Sequence, residues 1–236
     1  MGEGRNRIAM NPFSNSKSLA AWTAFNLKER GIDEIADWRM LEYWFQVEIF
    51  RLARLNKAGS WHHIGYYEQP YYTDIPRSGS KTKTKWIDLV FAEPNPLQPR
   101  SIIWLELKDI GRSKDTVINN ARGLGHDLAA LWALSPIKTK ELWLHPLPHS
   151  IDRGRIEEWN KFGPHLDEAK HFIGQIVIGP IDMQDELSPQ LSPERIINVW
   201  LESFIKRTGS NGPLPGIVVE STARFYVYGL VMELPR

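Results

Sequence analysis

Two short apolar segments, residues 86–92 and 101–110, flank a connection of eight residues that contains three prolines. Proline has no backbone N–H and is excluded from the middle of a sheet, so residues 93–100 are predicted to form a turn. The two segments are then predicted to be neighbouring strands of a meander, because elements adjacent in sequence usually meet in space. A buried strand pair of this kind commits the chain to a fold built around a sheet.

Charged residues interrupt both predicted strands. Asp88 lies in the first strand, and Glu106 and Lys108 lie two residues apart in the second. Side chains two apart on a strand point to the same side. Strand interiors disfavour aspartate, and burial of a carboxylate costs on the order of several kcal/mol unless it is paired or binds a cation. These three residues therefore need a structural or functional explanation.

A further carboxylate interrupts a predicted helix over residues 33–56. At about 100° per residue, Glu48 projects within about 40° of Leu52 and lies inside the apolar stripe of that helix. One interpretation is that Glu48 pairs with a buried arginine or caps a neighbouring backbone group. The other is that Glu48 joins Asp88 and Glu106, since the three lie on consecutive elements.

Converging carboxylates repel one another unless a divalent cation joins them. Carboxylate oxygens together with retained waters suit Mg²⁺ or Mn²⁺. Lys108 could then orient a metal-bound water or neutralise charge on a phosphate. The sequence thus predicts a site for Mg²⁺ (or Mn²⁺) formed by Glu48, Asp88 and Glu106.

Strands and helices alternate along most of the remaining chain. This order predicts an α/β fold with a mixed central β-sheet flanked by α-helices. The 236 residues are enough for one domain, which we place at residues 17–236, with a core at about 38–180 and a C-terminal helix and strands in 185–236. The polar residues 1–16 are expected to form a flexible terminus.

Composition narrows the functional classes. The net charge is +1, so no global basic field marks a nucleic-acid-binding protein, and any such site must be local. The chain contains no cysteine, which excludes thiolate chemistry and fits a cytoplasmic location. No run of 18 apolar residues is found, so no membrane span is expected.

The chain is predicted to contain, in order, a helix with Glu48, a strand, a strand with Asp88, a strand with Glu106-Leu107-Lys108, a helix and a strand. This arrangement resembles the PD-(D/E)xK nuclease superfamily, which includes restriction endonucleases. The resemblance covers roughly residues 38–145, and Ile87 replaces the leading proline of the motif. It implies a restriction-endonuclease-like fold and Mg²⁺-dependent hydrolysis of DNA. It also implies that Asp88 and Glu106 are metal ligands, that Lys108 positions the attacking water, and that Glu48 assists metal binding.

Basic residues flank the two motif strands and are candidates for binding DNA phosphates. They are Arg77, Lys81, Lys83, Lys85, Arg112 and Lys114. An ordinary solvated loop is the alternative explanation for the group before Asp88. The helix after the motif offers Asn119, Arg122 and His126 on one face, for which an exposed polar face is the simpler explanation. The ten tryptophans suggest core and interface packing, whereas four tyrosines could stack on a flipped or single-stranded base, namely Tyr66, Tyr67, Tyr71 and Tyr72.

Two other functions remain open from the sequence. The chain could be a non-catalytic nucleic-acid-binding or assembly subunit with the same fold. Alternatively, it could cleave RNA or small phosphodiesters. Cleavage of both strands of DNA by one site per chain would favour a homodimer.

Overall fold

The computed structural model describes residues 11–34, 41–54, 61–64, 68–75, 82–93, 100–111, 114–145, 153–181, 192–210 and 214–235. The helices are α1 Ser16–Glu29, α2 Leu41–Arg54, α3 Lys114–Trp132, α4 Pro136–Leu144, α5 Arg153–Phe162 and α6 Pro193–Thr208. The strands are β1 His62–His63, β2 Gln69–Tyr72, β3 Thr84–Ile87, β4 Leu89–Glu93, β5 Ser101–Asp109, β6 Lys170–Pro180, β7 Val218–Ser221 and β8 Phe225–Glu233. Short 3₁₀ turns lie at Ile32–Glu34 and Gly163–His165.

Six strands form one mixed sheet in the order β1-β4-β5-β6-β8-β7. Neighbouring strands are antiparallel except β5 and β6, which run parallel. A parallel pair needs a long crossover, and here the connection includes α3, α4 and α5. Strands β2 and β3 form a separate antiparallel hairpin. The predicted α/β class with a mixed central sheet flanked by helices is therefore confirmed.

Side-chain alternation along β5 divides the core into two layers. On one side of the sheet, Trp104 packs with buried residues of α3 and α6, such as Leu128 and Trp200. On the other side, Leu105 packs with buried residues of α1 and α2, such as Phe45. We call these sides the α3 face and the α2 face. Helices on both sides bury most residues of the central strands.

The junction of β3 and β4 differs from the sequence prediction of one strand over residues 86–92. Ile87 pairs with Gln69 of β2, whereas Leu89 pairs with Leu105 of β5. The strand therefore changes partners at Asp88, which belongs to neither ladder. This change of partners makes the backbone at Asp88 irregular.

The short apolar run at Leu142–Leu144 predicts a strand, but this prediction is wrong, because the segment belongs to helix α4. Ser135 caps the helix by accepting a hydrogen bond from the N–H of Lys138, and Pro136 occupies the first turn. Trp143 is fully buried and donates from Nε1 to the carbonyl oxygen of Pro70, 2.7 Å away. The N-cap at Ser135 and the burial of Trp143 therefore favour a helix over the strand that the short apolar run predicts.

The C-terminal segment and part of the N-terminal segment belong to the same core. Ser192 and Gly209 are the residue types that predict the start and the end of a helix, and in the structure Ser192 caps α6 and Gly209 ends it with φ 65°. Strand β8 lies inside the sheet between β6 and β7. Phe13, which the sequence places in a flexible terminus, is buried and contacts Trp61 and Phe91. No helix among the described residues is long and apolar enough to cross a membrane.

Candidate active site

Asp88 is buried at the point where the chain passes from β3 to β4. Its Oδ2 accepts a hydrogen bond of 2.6 Å from the N–H of Leu107 on β5, and its carbonyl oxygen accepts from the N–H of Glu68. The register places Asp88 next to Glu106, because Leu89 pairs with Leu105 in an antiparallel ladder. The irregular backbone thus points a carboxylate at the middle of the neighbouring strand.

Glu106 and Lys108 lie on the α3 face of β5, as their spacing predicts. The Nζ of Lys108 lies 2.8 Å from Oε1 of Glu106, and the exposed fractions of the two side chains are 32% and 10%. The lysine is therefore the solvent-facing member of the pair. The sequence prediction that Asp88, Glu106 and Lys108 converge agrees with this geometry.

Burial raises the pKa of Glu106 to about 8, and the neighbouring Asp88 and Asp127 add to this effect. Lys108 acts in the opposite direction but does not cancel the burial. Burial alone would lower the pKa of Lys108, yet Glu106, followed by Asp88 and Asp127, holds that pKa above its usual range. Ionisation of Glu106 is therefore disfavoured by its poorly solvated position and by the acids beside it.

Asp127 and Lys85 are two further charged residues of this cluster. Asp127 lies on α3 and forms an ion pair with Lys85 of β3, with 3.5 Å between Oδ1 and Nζ. Both side chains are mostly buried, with exposed fractions of 19% and 16%. Tyr71, opposite Lys85 on β2, is buried, and its pKa is raised by burial and then by Glu106, Asp127 and Asp88. Three carboxylates and two lysines therefore share this region.

Asp127 is not among the site residues predicted from the sequence, although the apolar residues around it show that its position is unusual for an acid. It lies three residues after Leu124 and four before Leu131, and both of these leucines are buried. An acid within the apolar stripe of α3 is the same anomaly that singles out Glu48 on α2. Lys85, by contrast, is in the predicted phosphate-binding group.

Glu48 is not brought to the other acids. Helix α2 packs on the α2 face through Phe45, Ile49 and Leu52, on the side of the sheet opposite to Glu106. Glu48 is mostly buried within that stripe, as predicted, but its oxygens lie 3.7 Å from Arg30 and 3.5 Å from Arg51. Of the two interpretations of Glu48, pairing with arginine is the one observed.

The predicted DNA-contacting residues are only partly described. Arg77, Lys81 and Arg112 lie outside the described residues, and Lys114 is the first residue of α3. Lys83 is exposed and lies immediately before β3. On α3, Asn119 is exposed and accepts a hydrogen bond from Arg122, in keeping with an exposed polar face.

The donor set of the cluster fits a hard divalent cation. Within the described part of the chain, no three acidic or histidine side chains form a ready-made metal group. Mg²⁺, however, keeps several waters and needs only one or two protein carboxylates. Asp88 and Glu106 supply buried oxygens whose mutual repulsion a cation would relieve. Gln175, opposite Glu106 on β6, adds a fully buried Oε1 that has no hydrogen-bond partner among the described residues.

The comparisons with known proteins find no relative. No family model matches the sequence, and no curated protein and no solved structure matches the chain. The resemblance to the PD-(D/E)xK superfamily therefore stays a prediction based on the motif residues.

Proposed function

We propose that this protein is a Mg²⁺-dependent endonuclease that hydrolyses DNA phosphodiester bonds, with the restriction-endonuclease-like fold of the PD-(D/E)xK superfamily. One observation carries the proposal: the buried carboxylates of Asp88 and Glu106 lie side by side, with Lys108 on the same face. A chain gains no packing from two adjacent buried acids, and their burial is costly. Function is the stronger explanation for such an arrangement.

Each residue of the cluster has a distinct role in the proposed site. Asp88 and Glu106 would hold the cation, which supplies Lewis-acid stabilisation and an activated water when bound. Lys108 keeps its proton and is more exposed than Glu106, so its ammonium can donate to a phosphate oxygen. Asp127 takes the position of third acid that the sequence assigns to Glu48.

Cleavage of a supercoiled plasmid with and without Mg²⁺ tests the proposal. We expect the wild-type protein to cut the plasmid, and we expect Asp88→Asn and Lys108→Met to lose activity by about a hundredfold or more. Glu93→Gln, an acid at the far end of the β4–β5 pair, is the matched control and should retain activity. Full activity of Asp88→Asn or Lys108→Met, with the fold verified by circular dichroism, would refute the assignment.

A non-catalytic nucleic-acid-binding or assembly subunit is the second candidate, and one observation favours it. Glu106 is already paired with Lys108, and Asp88 already accepts from Leu107, so the polar groups have partners without a cation. Titration calorimetry with Mn²⁺ separates the two candidates. Binding that disappears in Glu106→Gln favours the enzyme, whereas no binding favours the subunit. Parallel incubation with single-stranded DNA and RNA identifies the nucleic acid that is cut.

A further inference from the structure

The β2–β3 hairpin has an inner and an outer face. The register pairs Tyr71 with Lys85 on the inner face, and Tyr71 is buried in the core there. Tyr72 pairs with Thr84 on the outer face, where the next pair includes Trp86. Trp86 and Tyr72 are therefore diagonal neighbours on one face, at a separation that aromatic side chains can bridge.

The outer face combines aromatic rings with lysines. Trp86 is 50% exposed, and Thr84 is exposed beside it. The Nζ of Lys138, from helix α4, lies 4.5 Å from the centre of the Tyr72 ring, and that of Lys83 lies 5.8 Å from it. We call Tyr72, Lys83, Thr84, Trp86 and Lys138 the hairpin patch.

Asp74 is the acidic residue that contacts the hairpin patch. Its Oδ1 lies 3.1 Å from Nζ of Lys138 and 3.8 Å from Nζ of Lys83. Both lysine side chains remain about half exposed, at 45% and 50%. Ion pairs at such exposure are weak, so a phosphate can replace the carboxylate at little cost. Among the described residues, two lysines stand against one aspartate, which gives the patch an excess of positive charge.

Strand β3 connects the hairpin patch to the candidate active site. Trp86, on the outer face, precedes Asp88 by two residues in the chain. Lys85, the residue before Trp86, lies on the inner face and contacts Asp127 of the carboxylate cluster. The patch and the cluster therefore flank the same short segment of the chain.

We propose that the hairpin patch binds single-stranded DNA, with a base stacked on Trp86 and the backbone phosphates at Lys83 and Lys138. A half-exposed indole next to lysines offers both contacts that a single strand needs. The bases of a duplex are stacked on one another, so their faces are closed to Trp86. The choice of DNA rests on the proposed function. The sequence expectation that tyrosines rather than tryptophans would stack on bases is revised here for Trp86.

Fluorescence anisotropy with labelled oligothymidylate and a labelled duplex of the same length, in EDTA, tests this binding. We expect Trp86→Ala to weaken binding of oligothymidylate about tenfold, because a base can no longer stack on the indole ring. We expect Lys138→Glu, on the exposed side of α4, to weaken binding as well and to reduce its salt dependence. Duplex affinity should fall less in Trp86→Ala.

Phe25→Ala is the matched control, because Phe25 is a similarly exposed aromatic residue, at 54%, on α1. This variant should bind as the wild type does. The proposal is overturned if Trp86→Ala binds oligothymidylate normally, if it loses duplex binding to the same extent, or if the wild type binds oligouridylate but not oligothymidylate. If Trp86→Ala fails to fold, unchanged binding by Lys138→Glu overturns it. EDTA prevents metal-dependent cleavage, so absence of nuclease activity and absence of binding are separate results.

Discussion

At the scale of single residues, Glu106 is the position where stability and function oppose each other most clearly. It lies in the middle of a buried strand next to a second acid, and among the described residues Lys108 is the cation that pairs with it. Its pKa is raised to about 8 from an ordinary value of 4.5. The protein without a cation therefore holds a proton on Glu106 more tightly than an ordinary carboxyl group does, and a bound cation would have to displace that proton.

The raised pKa predicts how stability changes with pH in EDTA. Because the folded state binds the Glu106 proton more tightly than the unfolded state, this group's contribution is complete below the unfolded pKa. That contribution is lost as pH rises toward about 8. We expect the free energy of unfolding in urea to fall as pH rises from about 7 to about 8, the upper end of the range over which this contribution is lost, and this fall to be smaller in Glu106→Gln.

Titration of a second buried group, His171, lies outside this pH range. Burial lowers the pKa of His171, so its contribution to stability is lost on the acid side instead. The Glu93→Gln variant should keep the wild-type pH dependence. Equal slopes in wild type and Glu106→Gln would contradict the raised pKa.

At the scale of elements, helix α3 brings Asp127 to the site, and its position depends on close packing against α6. A Cβ added at Gly125 would lie 2.6 Å from Cβ of Ser203 and 2.8 Å from the backbone nitrogen of Phe204. A Cβ added at Gly123 would contact nothing within 4 Å. The two glycines, which from sequence alone only weaken the helix, therefore have different roles.

Alanine substitutions at these two glycines should change stability in opposite directions. We expect Gly125→Ala to lower the free energy of unfolding by about 1–3 kcal/mol, because backbone of α6 must move. Gly123→Ala should raise it by roughly 0.5–1 kcal/mol, since alanine favours the helix. Urea denaturation measures both. A stabilising effect of Gly125→Ala would show that α3 and α6 are not packed as described.

At the scale of the whole molecule, the sheet decides which acids can act together. Helices α1 and α2 cover one side of the sheet, and helices α3 and α6 cover the other. Glu106 shares the α3 face with Asp127, while Glu48 is paired with arginines beyond the sheet. A cation at the cluster would link β5, the β3–β4 junction and α3, and would stabilise the entire domain.

Thermal unfolding with Mn²⁺ tests this linkage. We expect Mn²⁺ at about 100 times its Kd to stabilise the wild type by about 2.7 kcal/mol. Asp88→Asn should lose this effect, and Asp127→Asn should weaken it more than Glu48→Gln does, because Asp127 lies on the same face as Glu106. Equal Mn²⁺ stabilisation in wild type and Asp127→Asn, with a loss in Glu48→Gln, would instead support the third acid that the resemblance implies.

The sequence by itself determined the features that depend on local periodicity. Alternation placed Glu106 and Lys108 on one face of a strand, the proline-rich turn paired that strand with the strand of Asp88, and Ser192 and Gly209 bounded α6. Helical periodicity also placed Glu48 inside an apolar stripe. Where a local start signal and an apolar run conflicted, at α4, the sequence prediction failed.

Only the tertiary structure decided which of these side chains meet. A periodic pattern fixes the direction of a side chain relative to its own element, but it does not specify which side of the sheet a helix covers. Asp127 and Glu48 look alike in sequence, as acids within apolar stripes, yet packing places Asp127 with Glu106 and Glu48 with Arg30 and Arg51. Similarly, the sequence suggests that Trp86 is a core residue. In the structure, the β2–β3 hairpin is separate from the main sheet, and Trp86, on the outer face of the hairpin, is half exposed.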